Sequence, residues 1–269
     1  MKSRDIYYRD PALFGRQSHV DRYVDNIAYT FGVTRSALHV IAAAKGLIVG
    51  AVSFCRRDGS TVDVSSDREG LLMPNLKDIL SVDISSVKWV LVIEKEATFR
   101  SIAASTFWST LSTSGIMVTA KGYPDISTRA MLRFLSLPSP QNRFSAPPVY
   151  AMVDFDPDGI AILSTYKYGS TNLAHETSQL CLPQIQWLGL YSKHVLSGKA
   201  THADQGLLTL TARDRKKARS MLGWQVLEGD DSLRRELHVM LMLNFKAELQ
   251  LLDATSDGMS DLLQSSLPV

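Results

Sequence analysis

Two short apolar runs constrain the fold of this chain more than any other feature. One is Lys88–Phe99, KWVLVIEKEATF, and the other is Val149–Ile160, VYAMVDFDPDGI. Each is rich in β-branched residues and each ends abruptly in carboxylates. A run that is apolar at every position suits a strand buried on both faces, as in the middle of a parallel sheet. In an open parallel sheet, ligands bind in the crevice beyond the carboxyl ends of the strands. Glu94, Asp154 and Asp156 fall at those ends, where a carboxylate costs stability and serves chemistry. Mg²⁺ takes oxygen ligands in octahedral geometry, commonly one or two carboxylates completed by water and phosphate. The Asp154-x-Asp156 step lies where the backbone turns and alternate side chains can converge on one ion, and Glu94 supplies a third oxygen. Strand-end acids also serve as ordinary helix N-caps; three of them with these flanks favour a divalent-metal site. DFDPDG (Asp154–Gly159) matches the first half of an EF-hand loop as well. Thr165 stands where that loop needs its bidentate Glu, and a strand precedes it instead of a helix, so an EF-hand is rejected.

Around these runs the pattern is β-strand and α-helix in alternation. Trp89–Ile93 leads into a helix around Thr98–Leu111, Ile116–Thr119 into one around Ile126–Leu135, and Val149–Val153 into one around Ile160–Tyr168. That alternation predicts a parallel α/β sheet. Trp187–Leu190 reads as a compact apolar turn, and Leu233–Leu252 as a strongly helical run. Ahead of the sheet, Pro11 stops any helix begun before it. Val20, Tyr23, Val24, Ile27, Ala28 and Phe31 then make one helical face that Gly32 is placed to end. Thr34 is the expected N-cap of a shorter helix through Arg35, Ser36 and Leu38. Leu47–Phe54, the turn Arg56-Arg57-Asp58-Gly59 and Thr61–Val64 read as a hairpin. Helix, turn, helix, hairpin is the order of a winged-helix module. Lys45, Arg56 and Arg57 would then lie on or beside its wing, where phosphate contacts are made. Ser65–Ser86 reads as a connector.

Composition excludes little. Of the 269 residues, 45% are hydrophobic, which fits a packed globular chain of one or two domains, and 29 basic residues nearly balance 27 acidic ones. Any basic footprint for nucleic acid must therefore be local. Cys55 and Cys181 are far apart without metal spacing, so two free thiols in a reducing compartment are expected. The N-terminus lacks the apolar core of a secretory signal, and no apolar run approaches the ~20 residues of a membrane span. A soluble intracellular protein without a membrane role is the expectation.

The start of the chain, RDIYY (Arg4–Tyr8), holds a tyrosine pair. A tyrosine pair most often serves packing. A phenol becomes a nucleophile at neutral pH only where a metal or base eases its ionisation. Arg4 and Arg9 are suited to stabilise either the phenolate or a phosphate it attacks.

RDIYY, AAAKGL (Ala42–Leu47), VIEKEATF (Val92–Phe99), KGYPD (Lys121–Asp125), DFDPDGI (Asp154–Ile160), YKYGS (Tyr166–Ser170), WLGL (Trp187–Leu190) and LTARD (Leu210–Asp214) occur in a fixed order. In that order they resemble the family that unites the A subunit of topoisomerase VI with the eukaryotic meiotic DNA double-strand-break transesterase. YYRDPALFGRQSHVD is more similar to the meiotic branch. The resemblance implies a winged-helix domain over residues 1–66 carrying the catalytic tyrosine, followed over 67–269 by a Toprim domain with a helical C-terminal extension. It implies Tyr8 as nucleophile with Arg4 supporting it, and Glu94, Asp154 and Asp156 as ligands of Mg²⁺. Lys45 resembles a DNA-backbone contact, and Lys121 and Tyr123 of KGYPD resemble positions near the DNA groove. Ala120 departs from the glycine the family often has there. The family also has a substantial segment ahead of its tyrosine, so an N-terminally truncated winged-helix module is expected.

The implied reaction is transesterification on double-stranded DNA. Tyr8 attacks a backbone phosphorus, leaving a 5′-phosphotyrosyl linkage and a free 3′ hydroxyl. One tyrosine cuts one strand, so a double-strand break needs a homodimer in which Tyr8 of one chain meets the acids of the other. The family further implies an ATP-binding partner resembling the B subunit of topoisomerase VI, other meiotic accessory proteins, and a chromosomal place in the nucleus. GxxxxGK[ST] is absent from this chain. Three alternatives stay open beside the meiotic enzyme: an archaeal-type A subunit of topoisomerase VI, a nuclease-like Toprim phosphotransfer enzyme with a structural Tyr8, and an inactive DNA-binding member.

Overall fold

The computed structural model describes residues 3–33, 35, 37–40, 44–169, 180–196, 207–254 and 258–268. Thr34, Ser36, Ala42 and Ser170, which carry parts of the expected second helix and of two motifs, lie outside them. Three helices open the chain: α1 (Ser3–Tyr7), α2 (Pro11–Phe14) and α3 (Gln17–Phe31). Pro11 acts as a start signal, because it sits in the first turn of α2 while the Asp10 carboxylate accepts the Leu13 N–H at 2.9 Å. Gly32, at φ 63°, ends α3 as its spacing predicts. Val20, Val24 and Val40 form a small core of their own, with Ile6, Tyr7, Phe14 and Leu38 packed against it. Arg35 holds the following turn to α3 through Asp25 at 2.5 Å and Asp21 at 3.4 Å. Of the described residues between 35 and 40, 35 and 37–39 are turn, with no helix among them.

Five strands follow: β1 (Leu47–Gly50), β2 (Ser53–Arg56), β3 (Thr61–Asp63), β4 (Leu71–Leu72) and β5 (Ile79–Asp83). Then come β6 (Trp89–Ile93), α4 (Glu96–Ala104), α5 (Thr106–Leu111), β7 (Gly115–Thr119), α6 (Ile126–Ser136), β8 (Val149–Met152) and α7 (Pro157–Tyr168). The remainder is β9 (Gln186–Gly189), α8 (Ser192–Leu196), β10 (Leu207–Thr209), α9 (Ala212–Leu222), α10 (Asp231–Leu243), β11 (Phe245–Ala247) and α11 (Gly258–Ser266).

The main sheet has the order β4-β1-β7-β6-β8-β9 among the described residues. β7, β6, β8 and β9 run parallel, as the strand–helix alternation predicts, whereas β1 and β4 join antiparallel at one edge, so the sheet is mixed. Leu47–Phe54 is two strands instead of one. Gly50, at φ 118°, turns the chain so that the Val52 N–H donates to the Gly50 carbonyl at 2.7 Å. β1 thereby stays in the main sheet, while β2 forms the expected hairpin with β3 and also pairs with β5. Strand pairs on both sides of this break thus link segments before and after residue 66. The stretch expected to be a connector contains two of these strands. In β5 the buried residues Ile79 and Val82 are three apart, because an extra residue, Leu80, opposite the Cys55–Arg56 step shifts the register and hides the period-two signal.

Three further expectations are corrected. The helix around Thr98–Leu111 breaks at Ser105, whose hydroxyl caps α5 through the Trp108 N–H at 3.1 Å. Trp187–Leu190 is largely strand, β9, and not a turn. The helical run from Leu233 stops at Leu243, because Asn244 takes the left-handed conformation at φ 54° and reverses the chain into β11. Among the described residues no helix is long and apolar enough to cross a membrane, and Cys55 and Cys181 are free thiols.

One contact fixes the end of the sheet away from the acidic residues. Trp89, fully buried, meets Trp108 edge to face at 6.2 Å and covers Gly115 on the neighbouring strand. A Cβ at Gly115 would sit 2.1 Å from the Trp89 ring. Gly115→Ala is therefore expected to lower stability by roughly 1–3 kcal/mol through overpacking, read as a lower urea midpoint. An unchanged midpoint would contradict this packing.

Candidate functional site

Parallel pairing of β6 with β8 places Ile93 opposite Met152, and the ladder continues as the Glu94 N–H donates to the Met152 carbonyl at 3.1 Å. Glu94 and Asp154 thus leave the sheet side by side. The Asp154 N–H donates to Glu94 Oε2 at 2.9 Å. Asp156 is the N-cap of α7, its Oδ1 accepting the Gly159 N–H at 2.6 Å. The glycine of DFDPDG has its reason here: a Cβ on Gly159 would lie 2.3 Å from the Asp154 carbonyl oxygen, so the helix could not close onto the acidic turn.

Glu94 and Asp154 are 9% and 4% exposed, and Asp156 is half-buried. Burial pushes the Glu94 carboxyl up to about 8, and the charge of Asp154 adds to the shift. Burial also raises Asp156, with the charges of Asp154 and Asp158 acting in the same direction. Two residues that spacing did not single out complete the surroundings. Lys95 Nζ lies 2.9 Å from Asp154 Oδ2 and 3.2 Å from Glu248 Oε2. The Leu249 N–H donates to Asp154 Oδ1 at 2.8 Å. Lys95 stands inside the VIEKEATF motif and was open to notice. Glu248 carried no signal, because its neighbourhood reads as the middle of a helix.

The loop after β7 is tied to the same centre. The Gly122 N–H donates to the Glu94 carbonyl at 3.0 Å. Lys121 pairs with Glu96 at 3.1 Å, and Lys45 Nζ donates to the Lys121 carbonyl at 3.3 Å, so the two lysines named from sequence are neighbours. The Tyr123 hydroxyl accepts from Lys217 Nζ at 2.7 Å and donates to Asp158 at 3.3 Å, with Lys217 paired to Asp158 as well. Arg56 and Arg57 lie apart, on the β2–β3 hairpin. Arg56 is half-buried and Arg57 Nε donates to the Lys77 carbonyl at 2.9 Å.

At the N-terminus the tyrosine pair splits in character. Tyr7 packs against the small core, while Tyr8 is 67% exposed, the two rings standing 5.3 Å apart. The Tyr8 N–H donates to the Arg4 carbonyl at 3.0 Å, which puts Arg4 one helical turn before Tyr8 on the same side of α1. No hydrogen bond or ion pair among the described residues links Tyr8 or Arg4 to the acidic centre.

Among the described residues no three acidic, histidine or cysteine side chains stand ready-made around a metal ion. The donor set still fits a hard divalent cation. It is all carboxylate oxygen, the charges of Asp154 and Asp156 add to the burial that raises Glu94, and neither Glu94 Oε1 nor Asp156 Oδ2 accepts a hydrogen bond among the described residues. The ion-free centre should therefore be pH-sensitive. Glu94 is raised in the folded chain, so its contribution is fully present below about 4.5 and is lost as pH rises through about 8. Glu94→Gln is expected to match the unsubstituted protein's melting temperature at acid pH and to exceed it by roughly 5 °C at pH 9 in chelator. Parallel melting curves at both pH values would contradict a buried, protonated Glu94.

Residues 89–268 match the family model for the Toprim domain shared by Spo11 and the A subunit of topoisomerase 6, and residues 1–40 match the model "Type IIB DNA topoisomerase". The chain is 35% identical over 250 residues to the meiotic recombination protein SPO11 of Homo sapiens, covering 93% of this chain and 61% of that one. It is 33% identical over 268 residues to the A subunit of DNA topoisomerase 6 of Arabidopsis thaliana, covering 99% and 60%. With the meiotic recombination protein rec12 of Schizosaccharomyces pombe it shares 35% over 247 residues, covering 92% and 66%. The chain thus spans about six-tenths of the length of such relatives. Its motif order, its sheet with acids at the strand ends and these matches agree: the chain belongs to the family of Spo11 and the topoisomerase VI A subunit, with a Toprim domain over residues 89–268.

Proposed function

We propose that this chain is a DNA-cleaving transesterase of the meiotic branch, making the double-strand breaks that initiate recombination. The observation that carries the reading is the buried, hydrogen-bonded pair Glu94 and Asp154 at neighbouring strand ends, with Asp156 two residues on at the start of α7, in a chain whose Tyr8 is exposed while Tyr7 packs. A solvated phenol can reach a phosphodiester; that exposure also weighs against a purely structural Tyr8. The Tyr8 oxygen forms a bond to phosphorus as the bond to the 3′ oxygen breaks, leaving a 5′-phosphotyrosyl end and a 3′ hydroxyl. Arg4, one turn away, neutralises charge on the phenolate or phosphate. Glu94, Asp154 and Asp156 hold Mg²⁺, which when bound supplies positive charge to the scissile phosphate. Lys45, Lys121 and Tyr123 line the approach to the acidic centre and contact the DNA backbone, with Arg56 and Arg57 as outlying contacts.

In this reading residues 1–66 are the catalytic-tyrosine part of a winged-helix module and 67–269 the Toprim part with its C-terminal extension. The separate small core under α3 supports an N-terminal unit of its own. Two chains act together, Tyr8 of one against the acids of the other, on double-stranded DNA at chromosomes in the nucleus. The relatives include A subunits of topoisomerase 6 by name, and a partner resembling the B subunit of such an enzyme completes the assembly. The human, mouse and fission-yeast relatives are named meiotic recombination proteins, which supports the meiotic role.

The test is a covalent adduct. DNA ends trapped from cells or from the assembled complex should carry this chain through a 5′-phosphotyrosyl bond. Tyr8→Phe should abolish the adduct, Tyr7→Phe should retain it, and Asp154→Asn should lose cleavage while still binding DNA. An adduct that survives Tyr8→Phe would overturn the assignment.

A further inference from the structure

One group at the centre of the site takes no part in holding a metal. Lys95 is the only basic side chain paired with any of the three acids among the described residues, at 2.9 Å from Asp154 Oδ2. Its other two partners are Glu248 Oε2 and Gln250 Oε1, both at 3.2 Å. An ammonium has three donors, and here each has an acceptor.

Those two acceptors belong to a stretch anchored on Asp154 itself. Phe155 and Ala247 exchange backbone hydrogen bonds at 2.8 and 3.0 Å, and the Leu249 N–H holds Asp154 Oδ1 at 2.8 Å. Glu248 and Gln250 therefore keep station beside the acidic turn whatever Lys95 does. The Lys95 side chain is 28% exposed and the Glu248 carboxylate 46%, so the far side of this arrangement faces solvent.

A divalent ion on Asp154 Oδ2 and an ammonium hydrogen-bonded to the same oxygen would stand within about 5 Å of each other, where like charges repel strongly. A buried aspartate without a partner is costly in turn. We propose that Lys95 is the resident counter-cation of the acidic centre, which yields Asp154 to the incoming divalent ion and moves onto Glu248 and Gln250. This rests on the reading of Glu94, Asp154 and Asp156 as the metal site, and it assigns roles to two residues outside that triad. Lys95 is a positioning residue here: it holds Asp154 in place when no ion is bound and sets how tightly one binds. Glu248 is its alternative seat, which limits the rise in charge when both cations are present.

The experiment is calorimetric titration of the full chain with Mg²⁺ alone, with no DNA and no activity readout. Lys95→Gln should tighten Mg²⁺ binding by about tenfold, because a competing charge is removed. Glu248→Gln should weaken binding severalfold in the unsubstituted chain. It should have little effect once Lys95→Gln is present, because the displaced ammonium is then gone. Unchanged or weaker binding in Lys95→Gln overturns the proposal, as does a Glu248→Gln effect of equal size in both backgrounds. If Lys95→Gln does not fold, Glu248→Gln alone decides: binding as tight as in the unsubstituted chain overturns it. Asp154→Asn separates the two layers of inference. Full Mg²⁺ affinity in that variant overturns the metal reading, whereas its loss beside an unaltered Lys95→Gln overturns only the role of Lys95.

Discussion

The in-register parallel pairing of β6 with β8 is the constraint on which the rest of the molecule depends. With Ile93 opposite Met152, the next residues out of the sheet are Glu94 on one strand and, two further along the other, Asp154. A slip of one residue would turn alternate side chains to the other face and separate the carboxylates. Both neighbours of β6 are fixed in place. At the far end Trp89 of β6 fits over the bare backbone of Gly115 on β7. At the near end the Asp154 N–H reaches the Glu94 carboxylate, and Gly159 lets α7 close down on the Asp154 carbonyl. Apolar burial of the strands does the folding, and it carries the acids to their places as a by-product.

Three acids in so small a space are a burden to the fold, and each is met differently. Glu94 remains protonated well into the neutral range, which removes its charge. Asp154 accepts from the Leu249 N–H and from Lys95. Asp156 is absorbed into the first turn of α7, where the helix dipole favours a negative charge. The pairing also acts on Lys95: burial alone would lower its pKa, and its bonds to Asp154 and Glu248 more than offset that, so it stays cationic. A protein selected only for stability would replace these groups with apolar ones of similar volume. Their presence together at neighbouring strand ends is what the proposed metal site would explain.

Much of this was legible in the chain because buried parallel strands have a simple signature. Trp89–Ile93 and Val149–Met152 are buried at every position, and their apolar monotony says so. The acids that break the monotony are visible for the same reason. Other features had no local mark. β5 lost its alternation to an extra residue, Leu80, in its own run, and β9 is a strand by virtue of lying against β8. The helical period from Leu233 onward is real as far as Leu243 and then fails at Asn244, a residue that can take a left-handed turn as readily as it can sit in a helix. That one turn carries Glu248, Leu249 and Gln250 to Asp154, so the residues hardest to foresee were those brought to the site from furthest along the chain. Tyr7 and Tyr8 show the opposite case. Sequence marks the pair, and only packing distinguishes the partly buried ring from the exposed one.

The crossing of Ala247–Gln250 over the end of β8 has a further consequence, for the order in which the molecule comes into being. Asp154 emerges from the ribosome long before Leu249, and β6, β7 and β8 can pair without waiting for it. During that interval the acidic turn lacks both the amide that holds Asp154 and the carboxylate that shares Lys95. The acidic centre can be completed only after residues 247–250, made 95 residues later than Asp154 in the case of Leu249, have folded back over the sheet. For a protein whose proposed work is to sever chromosomes, that delay is a form of latency: nascent and prematurely terminated chains keep the scaffold of the site without its finished wall.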